Sequence, residues 1–253
     1  EHKLHALNTN ICGSTDGRIS AIYDNSMIYI NGDFIGEINQ GEVLAHQIND
    51  GDVISSNNQI FGLVRSGSAG ISLTPEVASG TKFSIANHRR DLMRVDMVCV
   101  SNQGCNVFID HPLGNDENIT ISPNSYYSYQ SPNNINGQTL ILNSDNPIIA
   151  HASQYNCMED ATVLVPDNTE FIGIQSNQIN IGHDYGDLSV SVNNSTFNIG
   201  NYYSSGAGAT GSFYTGHPQR VVADQPFGLH YIADSNGGSS CTALPEELLS
   251  TIY

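Results

Sequence analysis

The chain has 253 residues, enough for one large domain or for two to three small ones. Its 8 Lys and Arg residues stand against 25 Asp and Glu residues, which gives a formal net charge of −17. A surface of this charge repels nucleic acids and anionic membranes, so neither is expected as a partner. The sequence contains no run of about 18 apolar residues, so no membrane insertion is expected.

Short runs of β-branched and aromatic residues recur along the chain, separated by Gly, Asn, Asp and Pro. In chain order these runs are SMIYING, GDVISS, FGLVRSG, TKFSIAN, VDMVCVSNQG, NVFIDH, TLILNSD, ATVLVPD, LSVSVNN and RVVADQP. The first run contains Asn31-Gly32, a strong signal for a β-hairpin. Runs of this length and spacing predict an all-β fold with almost no helix, made of tandem small β-sandwich units of jelly-roll or immunoglobulin-like type.

One sequence pattern occurs three times in variant form. NSDNPIIAHAS (143–153) is related to VVADQPFGLHYIAD (221–234) and, more weakly, to SSNNQIFGLVRSG (55–67). Repetition of this kind indicates an array of similar structural units. The predicted division is an N-terminal arm or edge strand, a first β unit, a second and a third, with the boundaries 1–24, 25–97, 98–178 and 179–253.

The prolines of the second and third copies keep one register. Pro147 and Pro226 are 79 residues apart, and so are Pro166 and Pro245. The first copy fits less well, because the alignment of Asn58 with Asp145 places Ile60 where the other two copies have proline.

The pattern predicts a strand, a tight polar turn and a returning strand, because proline fixes φ and has no N–H to donate. The predicted structural turns lie at Asp145, Pro147, Asp224 and Pro226, with exit turns at Pro166 and Pro245. His151 follows on the returning strand and aligns with His230 and with Val64. A position that accepts either His or Val favours a packing role over a metal ligand.

Repeated units with a Gly-led strand, the sequences SDNPI and ADQPFG, and a following LVP or LP resemble the tandem β-repeats of virion structural proteins from aquatic phages. They are also loosely similar to extracellular β-domains of the IgGFc-binding type. The resemblance covers about residues 25–253. It implies an assembly or surface protein, located on a virion or outside the cell, and its motifs are structural rather than catalytic.

The five cysteines lie at Cys12, Cys99, Cys105, Cys157 and Cys241. None of them forms a CxxC pair, which argues against a zinc ribbon or a thioredoxin-type motif. Cys99 and Cys105 flank VSNQG, a hairpin-like sequence, and could form a disulfide. The alternative is that the cysteines are small buried apolar residues.

Two oxygen-rich loops are weak candidates for calcium. Asp184 with Asp187, or Asp234 with Asn236, could supply part of a calcium shell, although neither spacing matches the twelve-residue calcium loop. Solvated turn residues are the alternative that we favour. The sequence GAGATG (206–211) matches GxGxxG, but SFYTGHP follows it and cannot form the helix that a dinucleotide site requires. No cofactor is therefore expected.

A basic cluster and a tyrosine cluster are candidate interface residues. HRRDLMR contains Arg89, Arg90 and Arg94, half of the six arginines of this acidic chain. The cluster suits contact with an acidic patch on a neighbouring copy, and the alternative is an inter-unit linker paired with local carboxylates.

The tyrosines of SYYSYQ could pack at an interface or stack on a sugar, because tyrosine has an apolar body and a polar tip. These residues are Tyr126, Tyr127 and Tyr129. Solvent-exposed strand tyrosines are the alternative.

The sequence contains no GxSxG, HExxH or GxxxxGKS motif. We therefore expect a non-enzymatic structural protein of an extracellular particle or filament, such as a phage virion appendage, fibre or surface component. Its expected partners are copies of itself or neighbouring subunits, with a glycan of the host surface as a further candidate. The alternative is a bacterial cell-surface or secreted adhesin whose β-domains bind glycan or protein.

Overall fold

A computed structural model describes residues 2–7, 15–66, 69–87, 92–154, 162–173, 178–192, 195–200, 202–205, 219–232, 240–242 and 244–245. Within these ranges the regular structure consists of β-strands and one 3-10 turn at Glu76–Ala78, so the all-β prediction is confirmed. The ladders between the named strands are antiparallel. No helix in this part of the chain is long and apolar enough to cross a membrane.

The first unit consists of two sheets, with strand orders β4-β3-β6-β1-β9 and β5-β2-β7-β8. Side chains from both sheets meet in one apolar core, for example Leu4 and Ile28 from one sheet and Ile19 and Val64 from the other. The strands are β1 His2–His5, β2 Asp16–Ala21, β3 Ser26–Ile30, β4 Asp33–Ile38, β5 Val43–Gln47, β6 Val53–Ser56, β7 Ile60–Ser66, β8 Ala69–Ser72 and β9 Thr74–Pro75. The predicted hairpin at Asn31-Gly32 is confirmed, because it joins β3 to β4.

The second unit has the same two layers, but one long strand belongs to both. The first half of β15 pairs with β10 and β12, and its second half pairs with β11 and β16. The strands are β10 Gly80–Asn87, β11 Met93–Cys99, β12 Cys105–Asp110, β13 Glu117–Ile121, β14 Tyr126–Gln130, β15 Gln138–Gln154 and β16 Thr162–Val163.

The third unit repeats this arrangement around β22. The first half of β22 pairs with β17 and β19, and its second half pairs with β18 and β23. The strands are β17 Asn168–Gly173, β18 Gln178–Gly182, β19 Leu188–Val192, β20 Ser195–Ile199, β21 Tyr202–Ser205, β22 Gln219–Ile232, β23 Ser240–Thr242 and β24 Leu244–Pro245.

The three units therefore share one topology. Leu4, Phe83 and Phe171 occupy the same position in the first strand of their units, and each lies in the apolar core of its own unit. The tandem β-sandwich prediction is confirmed, and in the first unit the crossing strand is divided into β6 and β7.

The strand pairing divides the chain earlier than the predicted boundaries at 98 and 179. Strands β10 and β11 pair with β15, and β17 pairs with β22, so each unit begins before its predicted boundary. Strands β1 and β2 each have partners on both sides, so the segment 1–24 supplies inner strands and not an edge strand. The repeated sequence pattern marked the crossing strand, which comes late in each unit, and did not include the first strand.

The predicted tight turns at Pro147 and Pro226 are wrong, because both prolines lie inside continuous strands. Residue 144 still pairs with β12, whereas Ile148 already pairs with β11. Proline suits the position between them, because a strand that changes partners does not need a donor there.

A side-chain oxygen replaces the backbone partner at each crossing. Asp145 accepts a hydrogen bond from a backbone N–H of β12 at 2.8 Å, and Asp224 accepts one from β19 at 3.1 Å. In the first unit Asn57 accepts the same bond from β3 at 2.8 Å. The backbone and side chain of Asn106 both donate to Asp145, and these bonds lower the pKa of its carboxyl group.

This bond corrects the alignment of the first unit by one residue. Asn57, not Asn58, is equivalent to Asp145, and Ile60 is equivalent to Ile148, since both isoleucines are buried in their cores. It follows from the ladders that Leu63, and not Val64, corresponds to His151.

The exit prolines are also equivalent. Pro75 and Pro245 lie opposite Leu4 and Phe171 in short ladders beside the first strands. The backbone N–H of residue 167 donates to the carbonyl of residue 82 at 2.9 Å, which places Pro166 at the same position in the second unit. The 79-residue register therefore reflects a shared structure, although these positions are strand pairs and not turns.

Cys99 and Cys105 form a disulfide that joins the end of β11 to the start of β12, with their Cα atoms 5.7 Å apart. Both cysteines are buried. The structure therefore places these two residues in the bridge that their sequence positions allow.

Removing this disulfide should destabilise the second unit. The bridge closes a loop of about seven residues, for which chain entropy predicts a loss of about 2 kcal/mol in the free energy of unfolding. Urea unfolding of the Cys99→Ser, Cys105→Ser double variant, compared with the native protein without reductant, measures this loss. Equal unfolding midpoints for the two proteins would contradict the expectation.

Candidate functional site

The contacts between consecutive units are the most distinctive sites of this molecule. In the first joint, between the first and second units, Leu7 packs on Val98 and Ile149, and all three side chains are fully buried. Val98 and Ile149 lie on the outward side of β11 and β15, opposite the side that faces the core of the second unit. Sheet alternation thus gives one strand pair two apolar sides, one for its own core and one for the neighbouring unit.

A buried hydrogen bond crosses the same joint. Thr74 Oγ1 of the first unit lies 2.5 Å from His151 Nε2 of the second, and both residues have no exposed surface. Burial lowers the pKa of His151 to about 3, so the imidazole is neutral at neutral pH. The bond therefore orients the two units without placing a charge between them.

An ionic network lies beside this bond. Arg94 Nε is 3.0 Å from Asp96 Oδ1, and the Tyr126 hydroxyl donates to Asp96 Oδ1 at 2.7 Å. Arg94 Nη2 donates to the same hydroxyl at 2.7 Å and lies 3.6 Å from a carboxylate oxygen of Asp50 in the first unit. Burial raises the pKa of Asp96, and burial together with the Asp96 carboxylate raises the pKa of Tyr126. Arg94 thus compensates a buried carboxylate and reaches across the joint.

In the second joint, between the second and third units, the two backbones approach each other closely. A Cβ added at Gly228 would lie 1.8 Å from the carbonyl oxygen of Ser84, and one added at Gly182 would lie 2.8 Å from Thr139. Only glycine allows the backbone of β10 to approach β18 and β22 to this distance. The ladders place Gly182 and Gly228 at the positions that Val98 and Ile149 occupy in the first joint.

Charged and aromatic side chains close the rim of the second joint. Lys82 Nζ donates to Asp184 Oδ2 at 2.6 Å and lies 5.4 Å from the centre of the Tyr185 ring. Asp167 accepts hydrogen bonds from the backbone N–H and the hydroxyl of Ser84, at 2.6 and 2.5 Å. Burial raises the pKa of Asp167 to about 6, although the bonds from Ser84 oppose this shift.

The two joints therefore use one docking mode. The first strand of a unit and the segment around its exit proline pack on the outward side of the second sheet of the next unit. We call the first surface the donor edge and the second the acceptor face. The side chains differ between the joints, but their positions in the strand ladders are the same.

Of the predicted arginine cluster, only Arg94 lies within the described residues. Arg94 lies in the first joint and pairs with carboxylates of its own chain, which is the alternative that the sequence left open. Arg89 and Arg90 lie outside the described residues, and their contact with a neighbouring copy stays a prediction.

The predicted tyrosine cluster is split between two environments. Tyr126 belongs to the first joint, whereas Tyr127 packs against the core of the second unit and Tyr129 lies within that core. Tyr129 is only 2% exposed, so its predicted role at an interface with a partner molecule is wrong. The reason is strand alternation, which points Tyr127 and Tyr129 towards the core.

The calcium prediction gains no support. Asp184 makes an ion pair with Lys82, and Asp187 is exposed. Asp234 and Asn236 lie outside the described residues. Across the described ranges, no group of three or more His, Cys, Asp and Glu side chains is arranged to hold a metal ion.

Comparisons with known proteins leave the joints as the main guide to function. The sequence matches no known protein family, and no curated protein is detectably similar to it. Sequence reasoning singled out Arg94 and Tyr126 but missed Leu7, Thr74 and Ser84, because these three residues carry no motif. LHAL at the first donor edge and FSIA at the second occupy equivalent positions, and a longer repeat alignment could have detected this correspondence.

Replacing His151 with leucine, the residue at this position in the first unit, should reduce the pH dependence of stability. The pKa of His151 is about 3 in the folded protein and about 6.5 in the unfolded chain, so acidification below about 6.5 favours unfolding. This single group should cost up to about 1.4 kcal/mol per pH unit between pH 6 and pH 4. Urea unfolding across this range should give a shallower slope for His151→Leu, whereas His46→Leu serves as the control. Parallel curves for the native protein and His151→Leu would contradict the assignment.

Replacing Arg94 with glutamine should destabilise the protein by about 3 kcal/mol, because the buried Asp96 carboxylate loses its counter-charge. The third unit has Gln178 and Asn180 at the two equivalent positions. The double variant Arg94→Gln, Asp96→Asn should therefore recover most of the loss. Chemical denaturation of both variants measures this coupling. A double variant that is no more stable than the single one would show that the charge pair is not the cause.

Proposed function

We propose that this chain is a non-enzymatic structural protein that builds an extracellular particle or filament by association of its β units. The observation that carries the proposal is the docking mode, which is used twice within the chain by units of identical topology. Units that each have a limited core gain stability from burial against their neighbours, as in other repeat proteins. A phage virion appendage, fibre or surface component is the assembly that the sequence resemblance favours.

Two further features support this proposal. The disulfide between Cys99 and Cys105 suits an oxidising environment outside the cytoplasm. The joints combine buried apolar contacts with directional polar ones, for example the bond between Thr74 and His151. Such contacts set a defined orientation between units, which a particle or filament needs.

The native protein should associate with itself as its concentration rises. Sedimentation velocity between about 1 and 200 µM, in about 150 mM salt to screen the repulsion between chains of charge −17, should show species larger than one chain. Electron microscopy of the same samples should show rings, fibres or particles. A monomer at every concentration would overturn the proposal, and a monomer that binds a glycan would favour the adhesin alternative.

A further inference from the structure

The first unit presents its own acceptor face, and the apolar side chains on this face are exposed. Val43 and Phe61 flank Ser20 in one row across β5, β2 and β7, and Leu63 lies in the next row beside Arg18. Phe61 is 61% exposed, Val43 is 59% exposed and Leu63 is 48% exposed. Three large exposed apolar side chains on one sheet face form a patch of the kind that marks an interaction surface.

The other two units show what covers such a face. Phe61 corresponds to Ile149, Val43 to Tyr126 and Leu63 to His151 in the strand ladders. In the second unit these positions form the first joint and contact the donor edge of the first unit. In the third unit the equivalent of Ile149 is a glycine that contacts the donor edge of the second unit.

The ionic part of the acceptor face is present as well. Asp16 and Arg18 form an ion pair on the outward side of β2, at the positions that Arg94 and Asp96 occupy on β11. The two charges stand in the opposite order along the strand. The face of the first unit therefore offers the same elements as the first joint, which are an apolar row and a neighbouring charge pair.

We infer that this face, with Val43, Phe61 and Leu63 at its centre, binds the donor edge of the third unit of a second copy of the chain. The inference rests on the proposed function and names the surfaces that carry the association. The donor edge of the third unit consists of β17 and the adjacent β24, which pair with each other through Ile172 and Leu244.

The donor edge fits the acceptor face in chemistry and position. Ile172 stands where the second unit has Ser84, the residue that contacts the equivalent of Phe61. Leu244 stands where the first unit has Thr74, the residue that contacts the equivalent of Leu63. The inter-copy joint therefore brings the apolar side chain of Ile172 to that of Phe61. A contact between two different surfaces is heterologous, so it produces a ring if it closes and a filament if it does not.

Substitution of the acceptor face tests the inference. The double variant Phe61→Asn, Leu63→Asn should weaken the self-association seen by sedimentation by about tenfold or more, because central apolar residues dominate binding. The matched control is Phe34→Asn, Leu113→Asn, since these residues are 58% and 50% exposed but lie away from the acceptor face. The control should associate as the native protein does. Unchanged circular dichroism spectra verify that both variants fold.

Cross-linking identifies the surface on the second copy. In a background with Cys12, Cys157 and Cys241 replaced by serine, a mixture of Phe61→Cys and Ile172→Cys chains should form a disulfide-linked dimer when oxidised with copper phenanthroline. The same mixture prepared with Phe34→Cys in place of Phe61→Cys should not.

The outcomes separate the inference from the proposal on which it rests. Native protein that remains monomeric overturns both. Native protein that associates, together with a Phe61→Asn, Leu63→Asn variant that associates equally well, overturns the acceptor face and leaves the proposed function standing. A weakened variant without the cross-link to Ile172→Cys overturns the third unit as the occupant.

Discussion

The second and third units each depend on one strand that belongs to two sheets. Where β15 and β22 leave the first sheet, a backbone N–H of the neighbouring strand loses its carbonyl partner, and Asp145 or Asp224 accepts its hydrogen bond instead. Asn57 makes the same bond in the first unit, where the strand is interrupted. This bond lets the strand cross without an unsatisfied donor, and the crossing places the two sheets of the sandwich against one core. The outward side of the second sheet then becomes available for the next unit.

The outward side can vary because the alternation of strand residues separates it from the core. Residues facing inward stay apolar in all three units, whereas the outward positions carry Val98 and Ile149 in one unit, Gly182 and Gly228 in the next, and Phe61 with its neighbours in the first. A change on the outward side alters the joint without altering the core. The same fold can therefore support joints that differ in the distance between the backbones and in the side chains that meet.

The fold class and the repeat could be predicted from the sequence, whereas most residues of the joints could not. Strand-length apolar runs between turn residues indicated tandem β units, and the prolines at 147 and 226 gave the correct register for two of them. The turn assigned to those prolines was wrong, because proline favours both turns and strand positions that need no donor. The one-residue error in the first unit arose because Asn57 and Asn58 are chemically alike, and only the hydrogen bond from β3 distinguishes them. Tyr129 was assigned to a surface because aromatic residues suit cores and interfaces equally.

The differences between the joints also make each docking contact specific. The backbone of β10 approaches Gly228 to a distance that any side chain at that position would prevent, so this donor edge cannot dock on Ile149 or Phe61 in the same way. Conversely, Leu7 placed over a pair of glycines would lose the side-chain contacts that Val98 and Ile149 provide. Each acceptor face therefore selects its own donor edge by shape, while the shared strand positions keep the direction of docking constant. A filament built from such a chain would have a polarity that is already present within one molecule.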